Sequence, residues 1–267
     1  FMLLWATSIM LALKLGKMLG GSNNPILYNN LYSLDFDGVD DFVNLGNNSS
    51  LRPTVNNGVS LSLWCKWADI TTATSRIFSN SSDSSAAAYY GLACNKNASG
   101  YLSMSTGDGG GFAASDRRTR KTNAAVVSNN TWHHIVFVWT NEVSSTWRIY
   151  VDGDSKASAS SGTGGVNAYT TDDAFIGKRI IASTSYANGL MDEVAFFDTV
   201  LSSDGVADIY NSGTPNDLSG YNNLIGYWRN GDPNGTSSYP TITDDSSNSN
   251  NGTMTNMASG DIVTDAP

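Results

Sequence analysis

The sequence has no glutamine, and only Glu142 and Glu193 of its 24 acidic residues are glutamate; charged residues make up 15% of its 267 positions. Long surface helices are built largely from Glu, Lys, Gln and Arg, so this shortage argues against a helical architecture and for an all-β one. Cysteine is nearly absent too. Cys65 and Cys94 are too few for a disulfide scaffold or a thiolate zinc site. Cys65, in the run LSLWCKW, reads as a small buried apolar residue. Cys94 follows YYGLA and is expected on a neighbouring strand, and spacing alone leaves a bridge between the two open.

Positive charge is scarce as well: 15 Lys and Arg against 24 acidic residues give a formal charge of −9. A chain so charged lacks the extended basic face that binding to a nucleic-acid backbone requires, so no nucleic-acid partner is expected. One local exception is Arg117, Arg118, Arg120 and Lys121, read as a solvated loop, with a minor docking patch for an anionic partner as the alternative.

Nor is there an apolar run of the ~20 residues that cross a bilayer. The nearest is Phe1 to Leu13, followed by Lys14 and Lys17, the reverse of the charge order in a secretory signal. It reads as a short N-terminal helix that is apolar all round, which needs shelter on every side. Residues 1–21 are therefore expected to act as an assembly segment, docking through residues 1–19 in a virion or other protein assembly, with Leu3, Leu4, Trp5, Ile9, Leu11 and Leu13 as the contact residues. A homo-oligomer goes with this reading. Membrane association is the weaker alternative, and an uncleaved signal or a tail packed on its own domain is another.

Residues 22–32 read as a linker and 33–267 as one domain. From Ser33 onward, short apolar runs separated by Gly, Asn, Ser and Asp have the spacing of an antiparallel sandwich. In WRIYVDG, alternation puts Trp147, Ile149 and Val151 on one face and Arg148 and Tyr150 on the other. Asp152 and Gly153 supply a tight primed turn. A short helix is expected near 202–212, capped by Ser202 or Ser203 and stopped by Gly213.

Six runs occur in a telling order: LDFDGVDDFVNLG (Leu34 to Gly46), SLSLWCKW, NTWHHIVFVWT (Asn130 to Thr140), WRIYVDGD, AFIGKR and NGLMDEVAFFDTVLS (Asn188 to Ser202). With the closing LIGYWRN strand and its Asp-Ser-Ser-Asn-Ser-Asn-Asn-Gly-Thr turn, the chain from Ser33 to Met257 resembles laminin-G-like, concanavalin A-like jelly-roll domains. That resemblance implies an antiparallel two-sheet sandwich, the first strand beside the MDEVAFFD strand, and binding of glycans or proteins, often as an accessory module, although some enzymes share the jelly roll. The Asn- and Ser-rich style with an apolar leader is similar to surface proteins of marine tailed phages. It implies a virion-surface decoration or fibre-associated module; the alternative is extracellular, a secreted carbohydrate-binding accessory domain or a glycan-active enzyme.

Asp35, Asp37, Asp40 and Asp41 crowd the turn around Gly38, and the resemblance brings Asp192 and Glu193 beside them. Clustered carboxylates suit calcium, so a structural calcium site is expected on Asp37, Asp40 and Asp192. The plain alternative is that these aspartates cap turns. Glycoside hydrolysis needs two facing carboxylates, whereas Asp192 and Glu193, as strand neighbours, are expected to point to opposite faces, and Glu142 falls in a turn. His133 and His134 likewise face opposite ways and read as packing residues. The glycine-rich stretch Thr106 to Arg118 lacks a phosphate-cradle ending and reads as a mobile loop. Together with residues 79–90 and 157–171 it forms the expected ligand face, with Tyr89, Tyr90, Phe112, Tyr169 and Tyr186 as residues for stacking on sugar.

Overall fold

The computed structural model describes residues 28–71, 74–80, 91–111, 113–166, 169, 172–179 and 185–267. The apolar segment, including Leu3, Leu4, Trp5, Ile9, Leu11 and Leu13, lies outside the described residues, as do Tyr89, Tyr90 and Phe112.

Two antiparallel sheets form a sandwich. The first combines β1 (Ser33–Asp37), β3 (Val59–Lys66), β8 (His133–Trp139), β9 (Arg148–Val151), β10 (Asp154–Ser155), β13 (Asn188–Phe197), β14 (Leu224–Trp228) and β17 (Ile262–Val263). Its order is β10-β9-β8-β3-β13-β1-β17, with β14 also paired to β13. The second combines β2 (Phe42–Asn44), β4 (Ser75–Ser79), β5 (Leu92–Lys96), β6 (Leu102–Gly107), β7 (Arg117–Thr122), β11 (Ser158–Ser161), β12 (Phe175–Ile176), β15 (Thr241–Ile242) and β16 (Gly252–Thr255). It runs β11-β7-β6-β5-β4-β12-β2-β16-β15.

The period of two in each strand builds the core. Leu61, Leu63 and Cys65 of β3, Ile135 and Phe137 of β8, and Phe196 of β13 meet Ile77, Phe78, Cys94, Leu102 and Met104 of the second sheet. Cys65 and Cys94 are both free and buried. They belong to opposite sheets rather than to neighbouring strands, which corrects the expectation for Cys94.

The helix α1 (Ser203–Tyr210) covers the outer face of the first sheet. Val206 packs with Val136, Val138 and Tyr150, and Ile209 with Ala195, Phe197, Leu218, Leu224 and Tyr227. Ser202 is its N-cap, accepting from the Gly205 amide at 3.1 Å. It ends at Asn211 in the left-handed region, two residues before the expected stop at Gly213, because asparagine tolerates φ of 47°. No described helix is long and apolar enough to cross a membrane.

Two expectations fail at the level of elements. The basic run 117–122 is not a loop but strand β7, paired with β6 from Ser103↔Lys121 to Gly107↔Arg117 and with β11 on its other side. It carries no apolar residue, so hydrophobic periodicity could not mark it. Within the expected loop 157–171, Ser158 to Ser161 likewise form β11.

Candidate functional site

α1 covers part of the outer face of the first sheet, where Asp35, Lys66, Leu190 and Asp265 line a hollow of about 330 Å³, and a second concavity lies on the outer face of the second sheet. Arg76 stands opposite Asn95, Asn95 opposite Ser103, and Ser103 opposite Lys121, a polar row across β4, β5, β6 and β7. Ser105 and Thr119 form the next rung. Inward neighbours Leu102 and Met104 sit in the core, so the pleat itself turns Ser103 and Ser105 outward. The row borders a groove of about 320 Å³ lined also by Tyr101, Arg117, Ser161 and Arg179.

Hydrogen bonds order its floor: Arg76 donates to Asn95 Oδ1, and Asn95 Nδ2 to Ser103 Oγ at 3.4 Å. Lys121 Nζ sits 4.6 Å from the Tyr101 ring centroid, a cation held over a π face. Arg118 and Arg120 turn the other way: Arg118 Nε donates to Gly164 O at 2.6 Å, and Arg120 Nη1 to Ser145 O at 2.9 Å. Four cations, Arg76, Arg117, Lys121 and Arg179, thus line the groove, with no carboxylate among its described lining residues. Amide and hydroxyl groups between fixed cations can bond sugar hydroxyls and neutralise an anion together.

The expected sugar-stacking residues do not form this site. Tyr169 donates its hydroxyl to Pro53 O at 2.6 Å, and burial pushes its pKa up. Tyr186 lies against Phe42 with ring centroids 6.4 Å apart and, like Tyr169, is absent from the groove lining. The turn at 107–117 is pinned where Asp108 accepts from the amides of Gly110 and Gly165, both at 2.9 Å.

The structure also divides the expected calcium set. Asp37, Asp40 and Asp41 gather at the β1–β2 turn, but Asp37 Oδ1 accepts from the amides of Val39 and Asp40, and Asp41 Oδ2 from that of Asp37, as turn-capping aspartates do. Burial raises the Asp41 pKa to about 6. Asp192 is elsewhere, with Glu193 and Asp232. Asp37 is opposite Asn188, whereas Asp192 is four residues further along β13, beyond reach of that turn.

Asp192 and Glu193 do not point apart, which corrects the expectation that these strand neighbours face opposite ways. Against β3, the register of β13 shifts between Asp192 and Ala195, and Glu193 takes a φ of 52°. This bulge, placed where β13 changes partner from β1 to β14, turns both carboxylates toward Asp232. Glu193 accepts from Tyr227 Oη and from Arg229 Nε, the latter at 3.3 Å. Burial raises its pKa to about 7, and burial beside Glu193 raises that of Asp192 as well.

The histidines behave as read. His133 Nδ1 bonds Asp152 Oδ2 at 2.7 Å, while His134 is buried against Trp64 and Tyr210 with Nε2 2.8 Å from Ser62 Oγ.

Comparison with known proteins agrees with this architecture. A laminin-G family model, described as the concanavalin A-like lectin/glucanases superfamily, matches residues 37–207. Among solved structures, the chain is similar to a candidate carbohydrate binding protein from Bacteroides ovatus ATCC 8483, at 16% identity and a TM-score of 0.53 over 90% of this chain. It spans 59% of the length of that protein. It is also similar to the CBM40 module of the Ruminococcus gnavus IT-sialidase bound to α2,3-sialyllactose, at 10% identity and a TM-score of 0.50, covering 67% of this chain and 96% of that one. At such identities the likeness concerns the fold. No curated protein matches the sequence.

Proposed function

This chain belongs to the concanavalin A-like lectin/glucanases superfamily, and we propose that it is a non-catalytic binding module that holds an acidic glycan in the groove across β4 to β7. The observation that carries this reading is the lining: four cations, flanking amides and hydroxyls, and no described carboxylate, in a chain whose net charge is −9. A basic concavity on an acidic protein concentrates anionic ligands there and repels them elsewhere. The carbohydrate-binding descriptions of the two similar structures are consistent with it.

The non-catalytic part rests on access. Asp192 and Glu193 converge, yet they are 0% and 2% exposed beneath Tyr227, Arg229 and Asp232, so no glycosidic bond can come between them. Glu142 stands exposed in the β8–β9 turn.

Affinity electrophoresis of the full chain through gels containing polygalacturonate, dextran sulfate or dextran tests the reading. Retardation is expected in one or both acidic gels, weakening as salt rises, with dextran inert. The two acidic gels distinguish carboxylated from sulfated ligands. Equal behaviour in all three gels overturns the reading, as does release of new reducing ends that Glu193→Gln abolishes.

A further inference from the structure

The geometry points to a buried divalent-cation site at the β13 bulge, built from Asp192, Asp232 and Asn230 with Glu193 beside them, whose donor chemistry suits calcium. Carboxylate oxygens of Asp192, Glu193 and Asp232 all lie within 4.8 Å of one another. Two oxygens bound to one calcium at roughly 2.4 Å stand at most about 4.8 Å apart, so a single ion can bridge the set.

Charge and hydrogen bonding favour an ion over an empty acid cluster. Three carboxylates face one partner cation among the described residues, Arg229, which is engaged with Glu193. With all three ionised, as ligands to a metal are, the set would carry two negative charges beyond the one that Arg229 offsets, the charge of a divalent ion. In a buried site such a surplus is costly unless paired. Three oxygens there also lack a partner among the described residues: Asp192 Oδ2, Asp232 Oδ1 and Asn230 Oδ1. Asn230 is not part of the acid cluster, is fully buried, and is anchored by Nδ2 to Met191 O at 2.9 Å, which holds its amide group against the Met191–Asp192 peptide. The Asn30 amide stands close to Asp192, and neither its nitrogen nor its oxygen has a well-formed hydrogen bond among the described residues. Buried polar atoms without partners are rare enough in native proteins to call for a ligand or ion.

All these donors are hard oxygens, with no thiolate or imidazole among them, which selects calcium or magnesium over softer metals. Asn230 and Asp232 also line a cavity of about 90 Å³ with Asn234, Thr243 and Asp245, room for the waters that complete a calcium shell. The other oxygen of Asp232 accepts from the amides of Leu31 and Tyr32 at 2.9 and 3.2 Å. The ion would therefore tie the β13 bulge, the segment after β14 and the approach to β1 together.

The test uses the full chain stripped with EDTA and needs no glycan. Calcium titration should raise Tm by about 5 °C or more at saturation. Terbium should emit by energy transfer from Tyr28 and Tyr227, and calcium should displace it. Asp232→Asn should weaken binding at least tenfold, whereas Asp40→Asn should leave it unchanged. Counting bound calcium on the unmutated chain by native mass spectrometry should give one ion, which covers the case of a variant that fails to fold. No bound calcium and no change in Tm overturn the proposal, and so does binding removed by Asp40→Asn but not by Asp232→Asn.

Discussion

His134 illustrates what burial does to a single residue. Its ring is stacked on Tyr210 at 5.7 Å, bonded to Ser62 on one side and without a partner at Nδ1 among the described residues, and burial lowers its pKa from 6.5 to about 4. The native state therefore keeps it neutral while the unfolded chain takes up a proton below pH 6.5. Its contribution to stability is complete above that pH and is lost as pH falls toward 4, amounting to about 3 kcal/mol. Urea unfolding of the unmutated chain and of His134→Asn from pH 4 to 7 checks this. The stability difference should shift against the unmutated chain by that order on acidification, whereas parallel curves contradict it. Strand alternation located His133 and His134 correctly from sequence. The same rule failed at Asp192 and Glu193, because the left-handed backbone of Glu193 and its bulge have no signature in the run MDEVAFFD.

Elements with apolar periodicity were legible, and elements without it were not. The strands around Trp147 and Phe196 and the cap at Ser202 could be read directly, whereas RRTRKT offers no hydrophobic phase and is a strand because β6 and β11 flank it. The primed turn was legible from its residues: Asp152 and Gly153 take φ of 55° and 82°. Gly153 also lies under α1, where an added Cβ would meet Tyr210 Cδ1 at 2.9 Å; at Gly46, with φ of 71°, no atom of the described residues lies within 4 Å. Alanine at either glycine incurs a backbone cost of about 1–2 kcal/mol. Gly153→Ala should lose roughly 1 kcal/mol more than Gly46→Ala, since helix and hairpin must separate. Equal losses in chemical denaturation would place α1 less firmly on the sheet.

At the scale of the whole molecule, six runs in order conveyed the sandwich, while the groove stayed hidden. Arg76, Asn95, Ser103, Lys121 and Arg179 come from separate segments and are individually ordinary polar residues; only strand order brings them together. The sandwich also buries Cys65 and Cys94 fully, one in each sheet, and burial raises both thiol pKa values. A thiol reagent should label neither in native buffer and both in denaturant. Native labelling of one would mean that the sheets separate locally, without global unfolding.

The groove is the feature on which the functional account turns, and Lys121 is its exposed cation, held over Tyr101. Calorimetric titration of the full chain and of Lys121→Ala with an acidic oligosaccharide, from whichever acidic polymer retards the chain, is the most direct test. The account predicts saturable one-site binding that weakens about tenfold in the variant, the effect of losing one charge-assisted contact. No binding heat, or identical isotherms for the two proteins, would contradict it.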